Sequence, residues 1–303
     1  MTDFPAYMRL YEEDMLGDRL EEILCLASPC MLCPRQCMAD RMGGERGYCQ
    51  APYDLYVSSA SPHFGEEGPL VGTGGSGTIF LTHCNLRCVF CQNCDISIRG
   101  EGVSCSSGAL ADVMLNLQAK GCHNINFVTP THYVHQIVKA LPRAIEKGLT
   151  IPLVYNSGGY DSLDTLRLLE GVFDIYMPDI KFLDPALAGR YCQAEDYPTV
   201  AWEAVKEMHR QVGDLVIDER GIARRGLIIR HLVMPGATAD TRRVLKQIAA
   251  GISPDTYVNI MAQYYPCHRA GEFPEISRKP SAAECEEAVS YALSLGLTRA
   301  SRH

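Results

Sequence analysis

The chain has 303 residues, 47% of them apolar and 21% charged, with a formal net charge of −8. This is a globular composition, long enough for one large domain or two modest ones. Its acidity argues against broad binding to nucleic acid or anionic membrane, since both need a positive surface.

No apolar run approaches the ~20 residues needed to span a bilayer. The N-terminal stretch is acidic and lacks the charged and apolar regions of a signal peptide. The expectation is a cytoplasmic protein. Fourteen cysteines in a reducing compartment point to metal or iron–sulfur centres before disulfides. The isolated ones, Cys25, Cys105, Cys122, Cys192 and Cys285, read as small buried apolar residues.

In chain order, residues 1–23 read as an acidic helix and residues 25–50 as a cysteine-rich loop. Within that loop Cys30, Cys33, Cys37 and Cys49 have the spacing C-x2-C-x3-C-x11-C. Four thiolates satisfy one tetrahedral zinc or one iron–sulfur cluster, and the spacing does not choose between them. So short and apolar-poor a loop gains folding energy from a metal. Residues 51–75, rich in Gly, Pro and Ser, read as a linker. Their end, "GTGGSG", lacks the Gly-Lys-Ser/Thr of a phosphate loop and precedes a strand, so it reads as a flexible lead-in.

From residue 76 the pattern alternates. Apolar strands are expected at "GTIFLTH", "NINFVTP", "IPLVYN", "FDIYMPDIKF", "LIIRHLVM" and "YVNIMAQ", separated by amphipathic helices, with a last helix opened by a capping box at "SAAE". Six strand–helix units imply parallel strands with right-handed crossovers, in a doubly wound sheet or a barrel. In either, chemistry collects at the C-terminal ends of the strands. The expected division is an extension over 1–75 and the main domain over 76–303.

Immediately after the first of these strands, Cys84, Cys88 and Cys91 have the spacing C-x3-C-x2-C. Structural zinc sites usually use two C-x2-C knuckles, and a redox pair needs no third thiol. Three thiolates on one loop suit three irons of a 4Fe–4S cube, with the fourth iron open to a ligand. Cys94 would close that iron and reads as structural or incidental.

The run Cys84-Asn85-Leu86-Arg87-Cys88-Val89-Phe90-Cys91 resembles the radical S-adenosylmethionine (radical SAM) superfamily, including the aromatic Phe90 before the third cysteine. "CMLCPRQC…GERGYC" ahead of "GTIFLTHCNLRCVFCQN" resembles an activase-like branch of it, named for pyruvate formate-lyase activating enzymes. The resemblance implies a partial (β/α)6 TIM-type barrel with an N-terminal cysteine-rich extension, a 4Fe–4S cluster and SAM. It implies an oxidoreductase that releases a 5′-deoxyadenosyl radical to abstract hydrogen from substrate. A glycyl-radical enzyme is the implied protein substrate, and a flavodoxin or ferredoxin the electron donor. A small-molecule or RNA substrate, or a non-catalytic zinc or iron–sulfur partner-binding protein, are the alternatives.

Carried over by position, SAM would meet Phe90 in the cysteine loop, Asp179 and Lys181 after the fourth strand, Arg230 on the fifth, and His268 after the sixth. After the second strand the chain departs from the Gly-Gly-Glu-Pro stretch of the family, so backbone carbonyls and the Thr129 or Thr131 hydroxyl are expected to serve there instead, and Asn156 and Ser157 at the end of the third strand suit a ribose or carboxylate contact. The chain departs from the activases at Tyr155, where they carry an acidic residue, and at Gln92-Asn93, where they usually show Asn-Pro-Glu. His132 and His135, spaced i and i+3, read as a helix face and not as metal ligands.

Overall fold

The computed structural model describes residues 5–302. The expected N-terminal helix is two: α1 (Ala6–Glu12) and α2 (Met15–Ala27), separated where Asp14 takes a left-handed backbone conformation. Residues 1–4 of that expectation lie outside the described residues.

The strands among the described residues are β1 (Leu55–His63), β2 (Ser76–Leu81), β3 (Val103–Cys105), β4 (Ile125–Val128), β5 (Leu153–Ser157), β6 (Ile175–Pro178), β7 (Val216–Ile217), β8 (Ala223–Leu232), β9 (Tyr257–Met261) and β10 (Ala300–Arg302). Their order is β10-β9-β8-β6-β5-β4-β2-β1-β3, with β7 beside β8. The six expected strands are β2, β4, β5, β6, β8 and β9, and all pair in parallel. The fold is a partial TIM-type barrel of mixed α/β class.

Between and after the strands come α3 (Gly68–Val71), α4 (Cys94–Ser97), α5 (Ser107–Ala119), α6 (Val134–Glu146), α7 (Leu163–Leu168), α8 (Pro185–Cys192), α9 (Tyr197–Val212), α10 (Thr238–Gly251) and α11 (Ala282–Ser294). The last begins with the expected capping box of Ser281 and Glu284.

Alternation along each strand sorts its side chains. Ile79, Phe127, Tyr155, Tyr176, Ile229 and Ile260 join the large core under the outer helices. On the opposite face Val154, Ile175, Met177 and Ile228 form a second, interior core with Leu70 of α3. Each buried Leu or Ile contributes roughly 1.5–3 kcal/mol of transfer free energy.

Residues 51–75 are not a linker. β1 pairs antiparallel with both β2 and β3, and α3 plugs the barrel interior with Leu70, which is fully buried. The expected boundary at 75/76 therefore falls inside one sheet. The glycines of "GTGGSG" serve a close approach: a Cβ on Gly74 would stand 1.9 Å from the carbonyl oxygen of Gly121. Gly75 also adopts a φ of 82°, which a side chain disfavours.

Candidate active site

The loop after β2 is held by backbone hydrogen bonds to the neighbouring elements. The N–H groups of Arg87 and Val89 donate to the carbonyls of Cys192 and Tyr191 at the end of α8, at 3.3 and 2.8 Å. The N–H of Arg269 donates to Val89 at 2.8 Å. Its thiols are therefore fixed from both sides. Cys84 Sγ accepts the N–H of Leu86 at 3.4 Å, and Cys91 Sγ stands 3.0 Å from Ser97 Oγ. Cys88 Sγ lies 3.6 Å from the sulfur of Cys192, a buried residue of α8. Burial pushes the Cys84 thiol up to about 12, so only a bound metal would take its proton near neutrality. Cys94 opens α4 and pairs with Asp95 instead.

Beside this loop is a cavity of about 220 Å³ lined by Cys88, Phe90, Cys91, Asp179, Lys181 and Arg230, among others. Arg230 Nε donates to Asp179 at 2.8 Å, and its Nη2 donates to Asn156 at 2.7 Å. Lys181 Nζ donates to the other oxygen of Asp179 at 2.5 Å. Burial works against the Asp179 charge, but Arg230 and Lys181 outweigh it and hold the carboxyl below its usual range. Phe90 packs edge-on against Phe182 and Tyr264, with centroids 6.2 and 6.1 Å away.

A second cavity, about 260 Å³, shares Asn93, Arg230, Met261 and Gln263 with the first. Its other walls include His63, Glu66, Glu67, Asn156 and Asn259. Glu66 and Glu67 come from the segment between β1 and α3, which the sequence pattern assigned to a linker. Glu66 sits 3.9 Å from Arg230 Nη1, and Glu67 accepts from Asn259 Nδ2 at 2.8 Å.

Of the residues expected at SAM, the structure brings together Phe90, Asn156, Asp179, Lys181 and Arg230. Thr131 and Ser157 are engaged elsewhere: both hydroxyls donate to the buried Asp161 carboxylate, at 2.7 and 2.6 Å, and Tyr155 joins them at 2.8 Å. Thr129 has a φ of 61° and lines neither cavity. His268 is exposed and also lines neither. Sequence reasoning did not place Glu66, Glu67 and Asn259 here, and it read Cys192 only as a buried apolar residue, which it is. A signal existed only for Asn259, a polar residue inside an apolar strand.

The N-terminal thiols also share one neighbourhood. Cys30, Cys33 and Cys49 are buried, and Cys49 Sγ accepts the N–H of Ala51 at 3.5 Å. Burial pushes Cys33 up to about 12, against a backbone hydrogen bond from Arg35. A Cβ on Gly47 would reach 2.2 Å from Cys37 Sγ, so the chain packs tightly over that thiol. Arg41, 2% exposed, donates to His132 O at 2.8 Å and approaches Cys30 Sγ to 4.0 Å. Its Nε is buried without a partner.

Both sets fit thiolate-held centres by donor type, by the N–H groups turned onto sulfur, and by the cations beside them. Neither is gathered into a finished site. Among the described residues no three His, Cys, Asp or Glu side chains stand in metal-holding geometry. Among them, too, no helix is long and apolar enough to cross a membrane.

The fold is similar to part of Streptococcus suis SuiB. The crystal structure of SuiB bound to precursor peptide SuiA matches with a TM-score of 0.51 and 12% identity, over 73% of this chain and 47% of that one. The crystal structure of SuiB bound to S-adenosylmethionine matches with a TM-score of 0.50 and 14% identity, over 73% and 48%. The chain thus spans about half the length of the SuiB chain. No family model matches the sequence. The chain is 33% identical over 273 residues to the "Uncharacterized protein MJ0674" of Methanocaldococcus jannaschii, covering 87% of this chain and 74% of that one, and it belongs to that protein's family.

Proposed function

We propose that the chain is a radical SAM enzyme, with Cys84, Cys88 and Cys91 holding a 4Fe–4S cluster and SAM seated beside Asp179, Lys181, Arg230 and Asn156. The observation that carries this reading is the first cavity, where Cys88 and Cys91 share a wall with Asp179, Lys181 and Arg230. When bound, the cluster and SAM supply a 5′-deoxyadenosyl radical for hydrogen abstraction.

The chain's own residues orient and shield that chemistry. Lys181 and Arg230 offer cationic donors to a carboxylate. Asp179, placed between them, keeps both from approaching one another uncompensated. Phe90, Phe182 and Tyr264 keep water from one side of the cavity. The fold shared with a SAM-bound structure supports the reading.

The finer proposal is activase-like: a protein substrate of the glycyl-radical class, with flavodoxin or ferredoxin as reductant. The Asp179-x-Lys181 pair and Arg230 support it. The second thiol set, Cys30, Cys33, Cys37 and Cys49, is proposed as a structural zinc or iron–sulfur centre.

The test is anaerobic reconstitution with iron and sulfide, followed by dithionite and SAM. The expected product is 5′-deoxyadenosine. A 4Fe–4S spectrum without that product would overturn the assignment. Appearance of a glycyl-radical EPR signal in a co-incubated glycyl-radical enzyme tests the finer proposal.

A further inference from the structure

The second cavity has a wall that the proposed SAM contacts do not use. Glu67 is 2% exposed and Asn259 4% exposed. Asn259 Nδ2 donates to Glu67 Oε1, which leaves Glu67 Oε2 and Asn259 Oδ1 buried and without partners. Asn126 lies on β4 on the same face as cavity-lining Val128. It is fully buried, and both of its amide atoms are unpartnered. Buried polar atoms are rarely left so, because each costs roughly 1–3 kcal/mol. The unmet atoms here are three acceptors and one donor.

The charges lean the same way. The two cavities are lined by three carboxylates, Glu66, Glu67 and Asp179, against the two cations Arg230 and Lys181 and the imidazole of His63, whose Nδ1 lies 3.8 Å from Glu66. Both cations pair with Asp179 at 2.8 Å or less, whereas Arg230 comes only within 3.9 Å of Glu66. Among the described residues Glu67 makes no ion pair within 4 Å. A cavity of about 260 Å³ exceeds the ~30 Å³ share of one water several-fold, which leaves room for a short alkyl chain behind a small head group.

We infer that Glu66, Glu67 and Asn259 form the seat for a primary ammonium group carried by the substrate. An ammonium brings three donors and one positive charge, which answers both the unmet acceptors and the uncompensated carboxylate. The group belongs to a free alkylamine or to a lysine side chain. Calling its bearer the substrate rests on the proposed radical SAM reading; the seat itself does not.

The experiment is calorimetric titration of the full-length chain, purified anaerobically. The probes are n-butylammonium, a short blocked peptide containing one lysine, butyrate, 1-butanol and magnesium ion. Saturable binding of either ammonium probe, at least tenfold weaker in Glu67→Gln and unchanged in the exposed control Glu286→Gln, is the expected result. Binding of the amine assigns the source to a small molecule, and binding of the peptide alone assigns it to a protein.

Glu66→Gln is the second variant, used if far-UV circular dichroism finds Glu67→Gln unfolded. The inference fails if neither ammonium probe saturates, if butyrate or butanol binds as well, or if the folded Gln variants bind like the parent. It also fails if magnesium alone titrates in a Glu67-dependent way. Release of 5′-deoxyadenosine from the same preparation reports on the radical SAM reading separately.

Discussion

Arg230 joins three walls of the site. It donates to Asp179 at the end of β6 and to Asn156 on β5, and it faces Glu66 from the segment before α3. Removing Asp179 would leave Arg230 and Lys181 as neighbouring cations without their shared anion. Asp179→Asn is expected to cost roughly 3 kcal/mol of stability, in the range for breaking a buried pair, read as a lower denaturation midpoint. An unchanged midpoint would mean that water already screens the trio. The thiols divide in the same residue-by-residue way. On the proposed ligand set, Cys88→Ser is expected to take up less iron on reconstitution than the parent and Cys94→Ser as much, by iron analysis; equal loss would bring Cys94 into the ligand set. Asp179, Lys181 and Arg230 were legible in the sequence because charged residues stand out at the ends of apolar strands. The engagement of Thr131 and Ser157 with Asp161 was not legible, because a small hydroxyl at a strand end serves a buried carboxylate as readily as a ligand.

At the scale of elements, α6 and the residues just before it tie both the N-terminal segment and the loop after β2 to the barrel. His132 Nε2 bonds the carbonyl of Thr82 at 2.8 Å, and His135 Nε2 bonds that of Tyr53 at 3.0 Å. Both rings are buried, and burial, aided by Arg41, lowers each to about 3. In the unfolded chain they would take protons near pH 6.5. Each therefore contributes stability that is present above pH 6.5 and lost as the pH falls toward 3, with a slope approaching 1.4 kcal/mol per pH unit. Denaturation midpoints at pH 7.5 and 5 should differ less in His135→Gln than in the parent. An identical pH dependence in the two would refute the assignment. The six parallel strands and their helices were readable from period and length. β1 was not, because "LYVSSASPH" has few apolar residues and contains a proline, and it becomes a strand by pairing on both edges. α8 was overlooked although Asp184 and Pro185 form an ordinary helix start, with the Asp184 carboxylate accepting the Ala186 N–H at 2.8 Å.

Across the whole molecule, the two cysteine sets meet at Asn85. Its side chain lies 3.9 Å from Cys84 Sγ and acts against the burial that raises the Cys33 thiol. Arg35 Nε donates to its carbonyl at 3.1 Å, and Arg87 donates to Tyr48 O at 2.7 Å. Disturbing the N-terminal set should therefore be felt at the barrel loop. Cys49→Ser is expected to lower the melting temperature and also to broaden the EPR signal of the reduced barrel-loop cluster. A sharp, unshifted signal would mean that the two sets are independent.

The segment over residues 64–75 has a further consequence for modularity. One wall of the second cavity, Glu66 and Glu67, is encoded before residue 76, and the thiol-bearing wall of the first is encoded after it. A chain trimmed to the six parallel strands would keep every thiol of the barrel loop. It would nevertheless lose the cover on β2, the plug at Leu70 and both floor carboxylates. The barrel of this chain is therefore not a cassette that can be cut out at its first parallel strand: the walls of its two cavities are encoded together, across a boundary that sequence pattern alone would draw between them.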